Sequence, residues 1–327
     1  MNSEILPGTV ENSKSLKKTS ETAAIKLLPK LIEAFKWGNK QRIADIGESV
    51  ALSLEIQHPS ISQKIRDVFG VDLKPSNLLS KAEGLISFED PKHGLEAVIL
   101  SPDVETQCKA IIQEHHRRDD LTAYGLKPRH RILLHGTPGN GKTMLAEALA
   151  YELQIPYLRI KYSSLVDSFL GATAKNIDTI LDYAKTAPCL LFLDEFDGIG
   201  MDRSDNKDVG EMRRITNQLL ISLERLPSSC VFVGATNAMK LIDPALKRRF
   251  DFVIEISAPN KDLILQCAKK ELDPTLTPGH DILWLTDKIA EMQLPNLYEV
   301  VELCKQLRRD LVLNKGLGLR AIMGFAA

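Results

Sequence analysis

The chain has 327 residues, of which 44% are hydrophobic and 26% are charged, as in an ordinary globular protein. Its 42 basic and 43 acidic side chains leave a net charge of −1, so no overall basic excess favours a nucleic-acid partner. No apolar run reaches the roughly 18 residues that suggest a membrane span. The five scattered cysteines form no C-x-x-C pair, which is typical of reduced thiols in a cytoplasmic protein.

The N-terminal third is predicted to precede the main domain, in a chain long enough for two or three domains. Residues 1–19 are polar, lack the apolar core of a secretory signal and are expected to be disordered. Residues 20–70 carry apolar side chains at helical spacing, which predicts a helical N-terminal module. That module is either a spacer or a docking element. Residues 71–94 are rich in Pro, Gly and Ser, which indicates a linker.

Beyond residue 94, short β-rich apolar runs alternate with helical segments. This alternation predicts an α/β fold with a parallel five-stranded sheet that is covered on both faces. The predicted strands are 131–135, 157–162, 189–196, 230–237 and 252–257. From about residue 260 onward only helical patterns remain, so a small helical domain is expected to follow the sheet.

The segment "HGTPGNGKT" (135–143) lies between the first predicted strand and a helix. Its glycines allow backbone N–H groups to curl around a phosphate chain, and the helix N-terminus adds partial positive charge. In this P-loop pattern Lys142 reaches the β- and γ-phosphates, and the Thr143 hydroxyl ligates Mg²⁺. The predicted ATP-binding residues are Gly136, Thr137, Pro138, Gly139, Asn140, Gly141, Lys142, Thr143 and Met144.

Polar residues that end two further strands complete the predicted site. In "CLLFLDEFD" four apolar residues lead to Asp194, which is placed to hold Mg²⁺ with Thr143, and to Glu195, which is placed to polarise the attacking water as general base. The run "CVFVGATN" ends in Asn237, whose amide is expected to face the site and align the water. A plain asparagine in a turn at the strand end is the alternative for Asn237.

These motifs together resemble the AAA ATPases of the protein-remodelling branch, over residues 86–313. "GTPGNGKT" looks like the Walker A motif, "LLFLDEFD" like Walker B, "GATN" like sensor 1, and "IDPALKRRFD" like the second region of homology. The resemblance implies an AAA nucleotide-binding domain over 95–259 and a helical lid domain over 260–327. It also implies that Arg249 is an arginine finger inserted into the neighbouring subunit's site, in a ring that is a hexamer of the chain. Composition alone would favour the alternative, a solvated arginine pair near a helix end.

The segment "SLVDSFLGATAKNI" (164–177) is similar to the pore-loop segment of the same family. Phe169, Leu170 and Gly171 stand where family members carry aromatic, hydrophobic and glycine residues that line a central channel. An aromatic side chain contacts any polypeptide through its apolar face, so such a grip tolerates different sequences. A buried core position is the alternative for Phe169.

Two departures from the family pattern bear on the mechanism. Phe252 replaces the second arginine of the family's "RFDR", which leaves Arg248 as the candidate for a helper role. The last predicted helix begins "LPNLYEVV" without an arginine, so no sensor-2 arginine is evident.

The segments "HHRRDDLTAYGLKPRHRILLHGTPGNGKTMLAEALA" (115–150) and "NKDVGEMRRITNQLLISLE" (206–224) are similar, more narrowly, to stand-alone bacterial AAA ATPases with a short helical N-terminus. Many of them are encoded beside a subtilisin-like protease, which implies that this chain binds, restrains or activates such a protease. The leading hypothesis is an ATP-driven ring that remodels a protein client. A nucleic-acid-associated AAA ATPase, such as a helicase loader or transposition regulator, and a nucleotide-gated binding switch are the alternatives.

Overall fold

The computed structural model describes residues 84–165, 172–185, 188–200 and 209–314, together with residue 82 and scattered positions between 25 and 69. Two compact units are present, residues 1–84 and residues 85–327. The tail predicted to be disordered, residues 1–19, lies outside the described residues. In the part of the chain that is described, no helix has the length and apolar character needed to cross a membrane.

The first unit is helical at most of its described positions, as the apolar spacing predicts. The described positions from 25 to 54 are helical, and α1 (Pro59–Phe69) follows. The buried Ser62 hydroxyl donates a hydrogen bond of 2.8 Å to the Ala51 carbonyl, which ties α1 to the preceding helical segment. The predicted domain boundaries at residues 94 and 259 stay predictions.

The second unit is built on a six-stranded sheet. Its strands are β1 (Ile86–Glu89), β2 (Arg131–Gly136), β3 (Tyr157–Ile160), β4 (Cys189–Leu193), β5 (Cys230–Thr236) and β6 (Phe252–Ile256). Their spatial order is β1-β3-β4-β5-β2-β6, and every pairing is parallel except that of β1 with β3. The α/β class and all five predicted strands are confirmed.

The sheet differs from the prediction by one strand, because β1 lies inside the segment predicted as a linker. Only four residues of β1 pair, with Ile86 opposite Ile160 and Glu89 opposite Tyr157. So short a run, set among Pro, Gly and Ser, gives little periodic signal. Its partner is remote in sequence, so its position at the edge of the sheet is a tertiary effect.

Helices cover the sheet and continue after it. The helices up to β6 are α2 (Pro102–His116), α3 (Arg118–Ala123), α4 (Lys142–Glu152), α5 (Tyr162–Leu165), α6 (Ala172–Ala184), α7 (Asp197–Gly200), α8 (Val209–Glu224) and α9 (Pro244–Lys247). They are followed by α10 (Lys261–Glu271), α11 (Leu285–Glu291) and α12 (Leu297–Asn314), which share a hydrophobic core of their own. We call these last three helices the lid. No strand occurs among the described residues from 257 to 314, which confirms the predicted helical C-terminal segment.

The burial of the strands determines where a site can form. Every residue of β4 and of β5 is buried, whereas β6 alternates between buried and exposed residues. Both faces of the central strands therefore pack against other elements, and solvent is reached by residues just beyond their carboxyl ends, such as Glu195 and Asn237. In an open parallel sheet, ligands bind at the carboxyl ends of the strands. The carboxyl ends of β2, β4 and β5 carry the motifs singled out in the sequence.

Candidate active site

The loop between β2 and α4 has the backbone of a phosphate cradle. Gly136, Gly139 and Gly141 have φ of 144°, 80° and 85°, which side chains rarely adopt. A Cβ on Gly136 would lie 1.9 Å from the Ile256 carbonyl oxygen of the neighbouring strand, so no larger residue fits there. The three glycines are therefore required by the loop itself. The loop leads directly into the N-terminus of an eleven-residue helix, the arrangement that binds phosphate.

Lys142, the first residue of α4, folds back over this loop. Its Nζ donates hydrogen bonds of 2.9 Å to the carbonyl oxygens of Gly136 and Thr137. Burial lowers the pKa of the Lys142 ammonium, although the charges of Asp194 and Asp197 oppose that effect. A buried ammonium whose hydrogen bonds go to neutral carbonyls is stabilised further by an anion in direct contact, and a polyphosphate would supply one.

The predicted magnesium ligands are brought together. The Thr143 hydroxyl donates to Oδ2 of Asp194 over 3.3 Å, across the gap between α4 and the end of β4. A hydroxyl and a carboxylate are hard oxygen donors, and Mg²⁺ in nucleotide sites uses one or two such protein ligands beside water and phosphate oxygens. The pair therefore fits the metal that the sequence predicts.

Glu195 has an unusual backbone for a residue with a side chain. Its φ is 53°, in the left-handed region, and its amide donates to Oδ1 of Asp194 over 2.9 Å. The side chain is exposed, while the following Phe196 is fully buried. The turn thus directs Glu195 out of the sheet edge next to the Asp194 carboxylate. Positive φ in such a residue persists only where the surrounding structure imposes it, and such positions cluster at active sites.

Asn237 lies one residue beyond β5 and is exposed at the same edge of the sheet. The preceding Thr236 joins this strand end to the turn after Glu195. Its hydroxyl donates to Oδ1 of Asp197 over 2.6 Å and accepts from the Ala238 amide over 2.9 Å. The positions of Asn237 and Glu195 are thereby linked, although sequence reasoning singled out neither Thr236 nor Asp197.

Arg159 is a charged residue of this edge that sequence reasoning missed. It lies on β3, and its Nη2 is 3.9 Å from Oδ2 of Asp194. The magnesium position therefore has a cation beside it as well as the carboxylate. A single arginine inside an otherwise apolar strand carries no motif, and only the pairing of β3 with β4 brings it near Asp194.

Arg249 lies at the surface on an anchored segment. Its Nη2 is 2.6 Å from Oε1 of Glu224, and both side chains are about half exposed. The next residue, Phe250, is buried with ring centroids 5.4 Å from Phe196 and 6.1 Å from Phe232. Because Phe196 directly follows Glu195, the Arg249 segment packs against the turn that carries the predicted base.

Asp251 anchors the other end of the same segment. Its carboxylate accepts from Nη2 of Arg131 over 2.8 Å and from Nε over 3.1 Å, and the amides of His130 and Arg131 each donate to it over 3.0 Å. Burial by itself would raise the pKa of Asp251, but these hydrogen bonds outweigh it and hold the pKa below its usual range. Arg248, the predicted helper, directly follows α9 and is exposed.

Two other predicted groups of site residues have different outcomes. Phe169, Leu170 and Gly171 lie outside the described residues, between α5 and α6, so the pore loop stays a prediction. In the phosphate loop, Pro138 and Met144 are exposed, whereas Asn140 is buried. The Asn140 Nδ2 donates to the Thr137 hydroxyl over 2.6 Å, and its Oδ1 accepts from the Leu297 amide of α12 over 2.9 Å.

All five cysteines are free and buried, which agrees with the reduced thiols predicted. Cys189 and Cys230 are paired on adjacent strands, with their Sγ atoms 3.4 Å apart. Burial raises the pKa of Cys189 well above its usual range, with a further contribution from Cys230. The pair lies at the start of both strands, at the end opposite to the phosphate loop.

Comparison with known proteins gives the family. Residues 132–258 match the model of the ATPase family associated with various cellular activities (AAA). An uncharacterized AAA family ATPase, y4kL, of Sinorhizobium fredii is 36% identical over 229 residues, which cover 69% of this chain and 67% of that protein. A putative 26S proteasome regulatory subunit homolog of Methanothermobacter marburgensis is 33% identical, with 61% of this chain and 52% of that protein covered.

Two further proteins are similar to this chain, one in part of its sequence and the other in its fold. The peroxisomal ATPase PEX6 of Arabidopsis thaliana is 31% identical over 65% of this chain, but the match covers only 26% of PEX6. The crystal structure of the FIGL-1 AAA domain superposes with a TM-score of 0.59 at 22% identity, covering 77% of this chain and 84% of that one, and supports the fold alone. The chain thus spans between about a quarter and two thirds of the length of these sequence relatives. Together with the phosphate loop and the acidic turn after β4, these matches show that the chain belongs to the AAA family of ATPases and that its reaction is the hydrolysis of ATP.

Proposed function

We propose that the chain is the subunit of a ring-shaped ATPase that remodels a protein client. The observation that carries the proposal is that Arg249 is exposed at the surface on a segment that is anchored in the core. Phe250 and Asp251 anchor the segment behind it, while the guanidinium itself stays at the surface. A fixed arginine at a surface is suited to a site on another subunit.

The described residues divide the chemistry of hydrolysis among them. Lys142 exchanges its two loop carbonyls for the terminal phosphates of ATP, which are the better partners for an ammonium. Thr143 and Asp194 would hold Mg²⁺, which would neutralise phosphate charge when bound. Glu195 accepts the proton of the attacking water, and Asn237 orients that water.

The neighbouring subunit supplies the remaining positive charge. Arg249 of that subunit stabilises the charge that develops on the transferred phosphoryl group, a contribution of about 10³ to 10⁵ in rate for arginine fingers. The free subunit holds Arg249 in an exposed ion pair with Glu224, and such pairs contribute only about 0 to 1 kcal/mol. Release of the finger into an interface therefore costs little.

The client is proposed to be a protein. Proteins named as proteasome regulatory homologs, proteasome-activating nucleotidases and peroxisomal ATPases are among the relatives, and a net charge of −1 does not favour nucleic acid. Phe169, Leu170 and Gly171 are the proposed pore-loop grip. The narrower resemblance to stand-alone bacterial AAA ATPases makes a subtilisin-like protease the proposed partner, in the cytoplasm.

An unstructured polypeptide tests this function without knowledge of the natural client. Casein should raise the ATPase rate of the wild type, Phe169→Ala should lose that stimulation, and Phe169→Tyr should retain it because the aromatic face remains. Equal stimulation of Phe169→Ala and the wild type would refute the grip. Stimulation by single-stranded DNA alone, falling steeply with salt, would instead support the nucleic-acid alternative.

A further inference from the structure

The start of the lid helix α12 lies directly on the phosphate loop. The Leu297 amide donates to Oδ1 of Asn140, and the Tyr298 amide donates to the Gly139 carbonyl, each over 2.9 Å. The first N–H groups of a helix have no partner within the helix and need an acceptor from elsewhere. Here the loop that holds the phosphates supplies two of those acceptors.

The contact between loop and helix is closely fitted. A Cβ on Gly139 would lie 3.0 Å from Cγ of Asn296 and 3.2 Å from Cβ of Tyr298, so glycine permits the helix to approach the loop. Asn140 is 2% exposed, and both ends of its amide are used, Oδ1 by Leu297 and Nδ2 by the Thr137 hydroxyl. A buried amide with both ends satisfied specifies one arrangement of the groups around it.

These bonds form a continuous chain from the catalytic lysine to the lid. Lys142 donates to the Thr137 carbonyl, Thr137 accepts from Asn140 through its hydroxyl, and Asn140 accepts from Leu297 of α12. When Lys142 turns to the phosphates of ATP, the Thr137 carbonyl loses that partner. The loop must then rearrange at the residue that holds Asn140.

We propose that Asn140 is a positioning residue that latches the lid to the phosphate loop and transmits nucleotide occupancy to the orientation of α12. The start of α12 carries no arginine that could reach the phosphates, so a neutral latch replaces a direct cationic contact. The inference rests on the proposed function only in that ATP phosphates occupy this loop. The orientation of the lid then depends on the conformation of the phosphate loop rather than on a direct contact with the charge of the nucleotide.

Hydrogen exchange of the full chain, resolved at the start of α12, tests the latch. In the nucleotide-free wild type the amides of Leu297 and Tyr298 should be protected, although they are the first of their helix. In Asn140→Ala the Leu297 amide should exchange about two- to tenfold faster, since one hydrogen bond of ordinary strength is lost. The interior of α12 should keep its protection.

Transmission is tested by the change in exchange at α12 when ADP or AMP-PNP is added with Mg²⁺ at saturation. The wild type should show such a change and Asn140→Ala should not. Thr137→Val removes the hydroxyl that accepts from Asn140 over 2.6 Å and leaves Nδ2 only the long contact of 3.5 Å to the carbonyl of residue 137. The bond to Leu297 remains, so this variant should keep the protection of nucleotide-free protein and lose most of the nucleotide effect. Asn260→Ala is the control for loss of an asparagine bond at the start of a lid helix, because the exposed Asn260 accepts from the Leu263 amide of its own helix α10 and does not contact the phosphate loop through that bond.

The outcomes separate the latch from the ATPase. Equal exchange of Leu297 in Asn140→Ala and the wild type would overturn the latch, and an unchanged nucleotide effect in Thr137→Val would overturn the transmission. A parallel calorimetric titration establishes that each variant is saturated with nucleotide. If Asn140→Ala does not reach saturation, the nucleotide effect in Thr137→Val decides whether the latch transmits occupancy. A wild type that binds no nucleotide would refute the proposed function, whereas the nucleotide-free comparison would still test the latch.

Discussion

The Asp251–Arg131 pair should be required both for the stability of the fold and for the action of Arg249. Asp251→Asn tests this, because it removes the negative charge of the carboxylate and hardly changes the shape of the side chain. Four donor groups converge on the carboxylate, three of them on Oδ2 and the Nη2 of Arg131 on Oδ1. If the asparagine oxygen takes the Oδ2 position, its NH₂ group faces Nη2 of Arg131. Two donors then meet where a charge-assisted hydrogen bond of 2.8 Å stood.

The size of the effect follows from that loss. The side chains of Asp251 and Arg131 are 17% and 22% exposed, between a surface pair and a buried one. A hydrogen bond to a charged group contributes about 1.5 to 3 kcal/mol, so we expect Asp251→Asn to cost about 2 kcal/mol. In a unit of this size that lowers the melting temperature by about 4–8 °C. Arg249, two residues away, loses its fixed position, and ATPase activity should fall by about tenfold or more.

Thermal melts and ATPase rates measured together check this prediction. Asp119→Asn is the control, because the Asp119 side chain is 98% exposed and its carboxylate lies 3.8 Å from Nε of Arg118, in a long surface ion pair. The pKa of Asp251 is lowered in the folded state, so its stabilisation is complete above the ordinary pKa of about 3.9 and is lost as the pH falls through the lower value. The difference between Asp251→Asn and the wild type should therefore persist down to about pH 4. A variant that melts with the control and keeps full activity would refute the anchoring role.

Three further changes test single residues of the site. Lys142→Ala should abolish ATP binding in calorimetry. Burial lowers the pKa of Lys142, so the affinity of the wild type for ATP should weaken as the pH rises through this lowered pKa, before it reaches the ordinary lysine pKa of about 10.4. Glu195→Gln should bind ATP normally and fail to hydrolyse it, since the amide cannot accept a proton, and wild-type turnover would remove Glu195 as the base. Glu224→Gln should raise the ATPase rate at low protein concentration by at most about fivefold, because the exposed pair that holds Arg249 is worth about 0 to 1 kcal/mol. Glu302→Gln, which breaks an ion pair of similar exposure, should leave the rate unchanged, and equal rates in the two variants would contradict a restraining role of Glu224.

The parts of the site that were predictable from sequence are local. The phosphate loop combines glycines, lysine and threonine within nine residues between a strand and a helix, and Asp194 and Glu195 directly follow an apolar strand. Each of these signals depends on the chemistry of neighbouring residues. The structure therefore places Thr143 beside Asp194 as expected, because the carboxyl ends of parallel strands share one edge.

The unpredicted parts are contacts between residues remote in sequence. Arg131 and Asp251 are 120 residues apart, and Asn140 and Leu297 are 157 residues apart. Nothing in the local pattern around Asn140 distinguishes a phosphate-loop residue that also holds a lid helix. Strand β1 was missed for the same reason, since its four residues are fixed by pairing with β3. Strand alternation likewise gave no reason to place Arg159 near the magnesium ligands.

The most direct test of the account is whether Arg249 completes the site of a neighbouring subunit. Arg249→Ala and Glu195→Gln should each be nearly inactive alone, because one lacks the finger and the other the base. When the two proteins are mixed, an Arg249→Ala subunit keeps its own Glu195 and receives Arg249 from a Glu195→Gln neighbour, so ATPase activity should reappear. Addition of the double variant to Arg249→Ala is the control and should restore nothing. A mixture that stays as inactive as its components, although light scattering shows that they assemble together, would contradict a finger that acts between subunits.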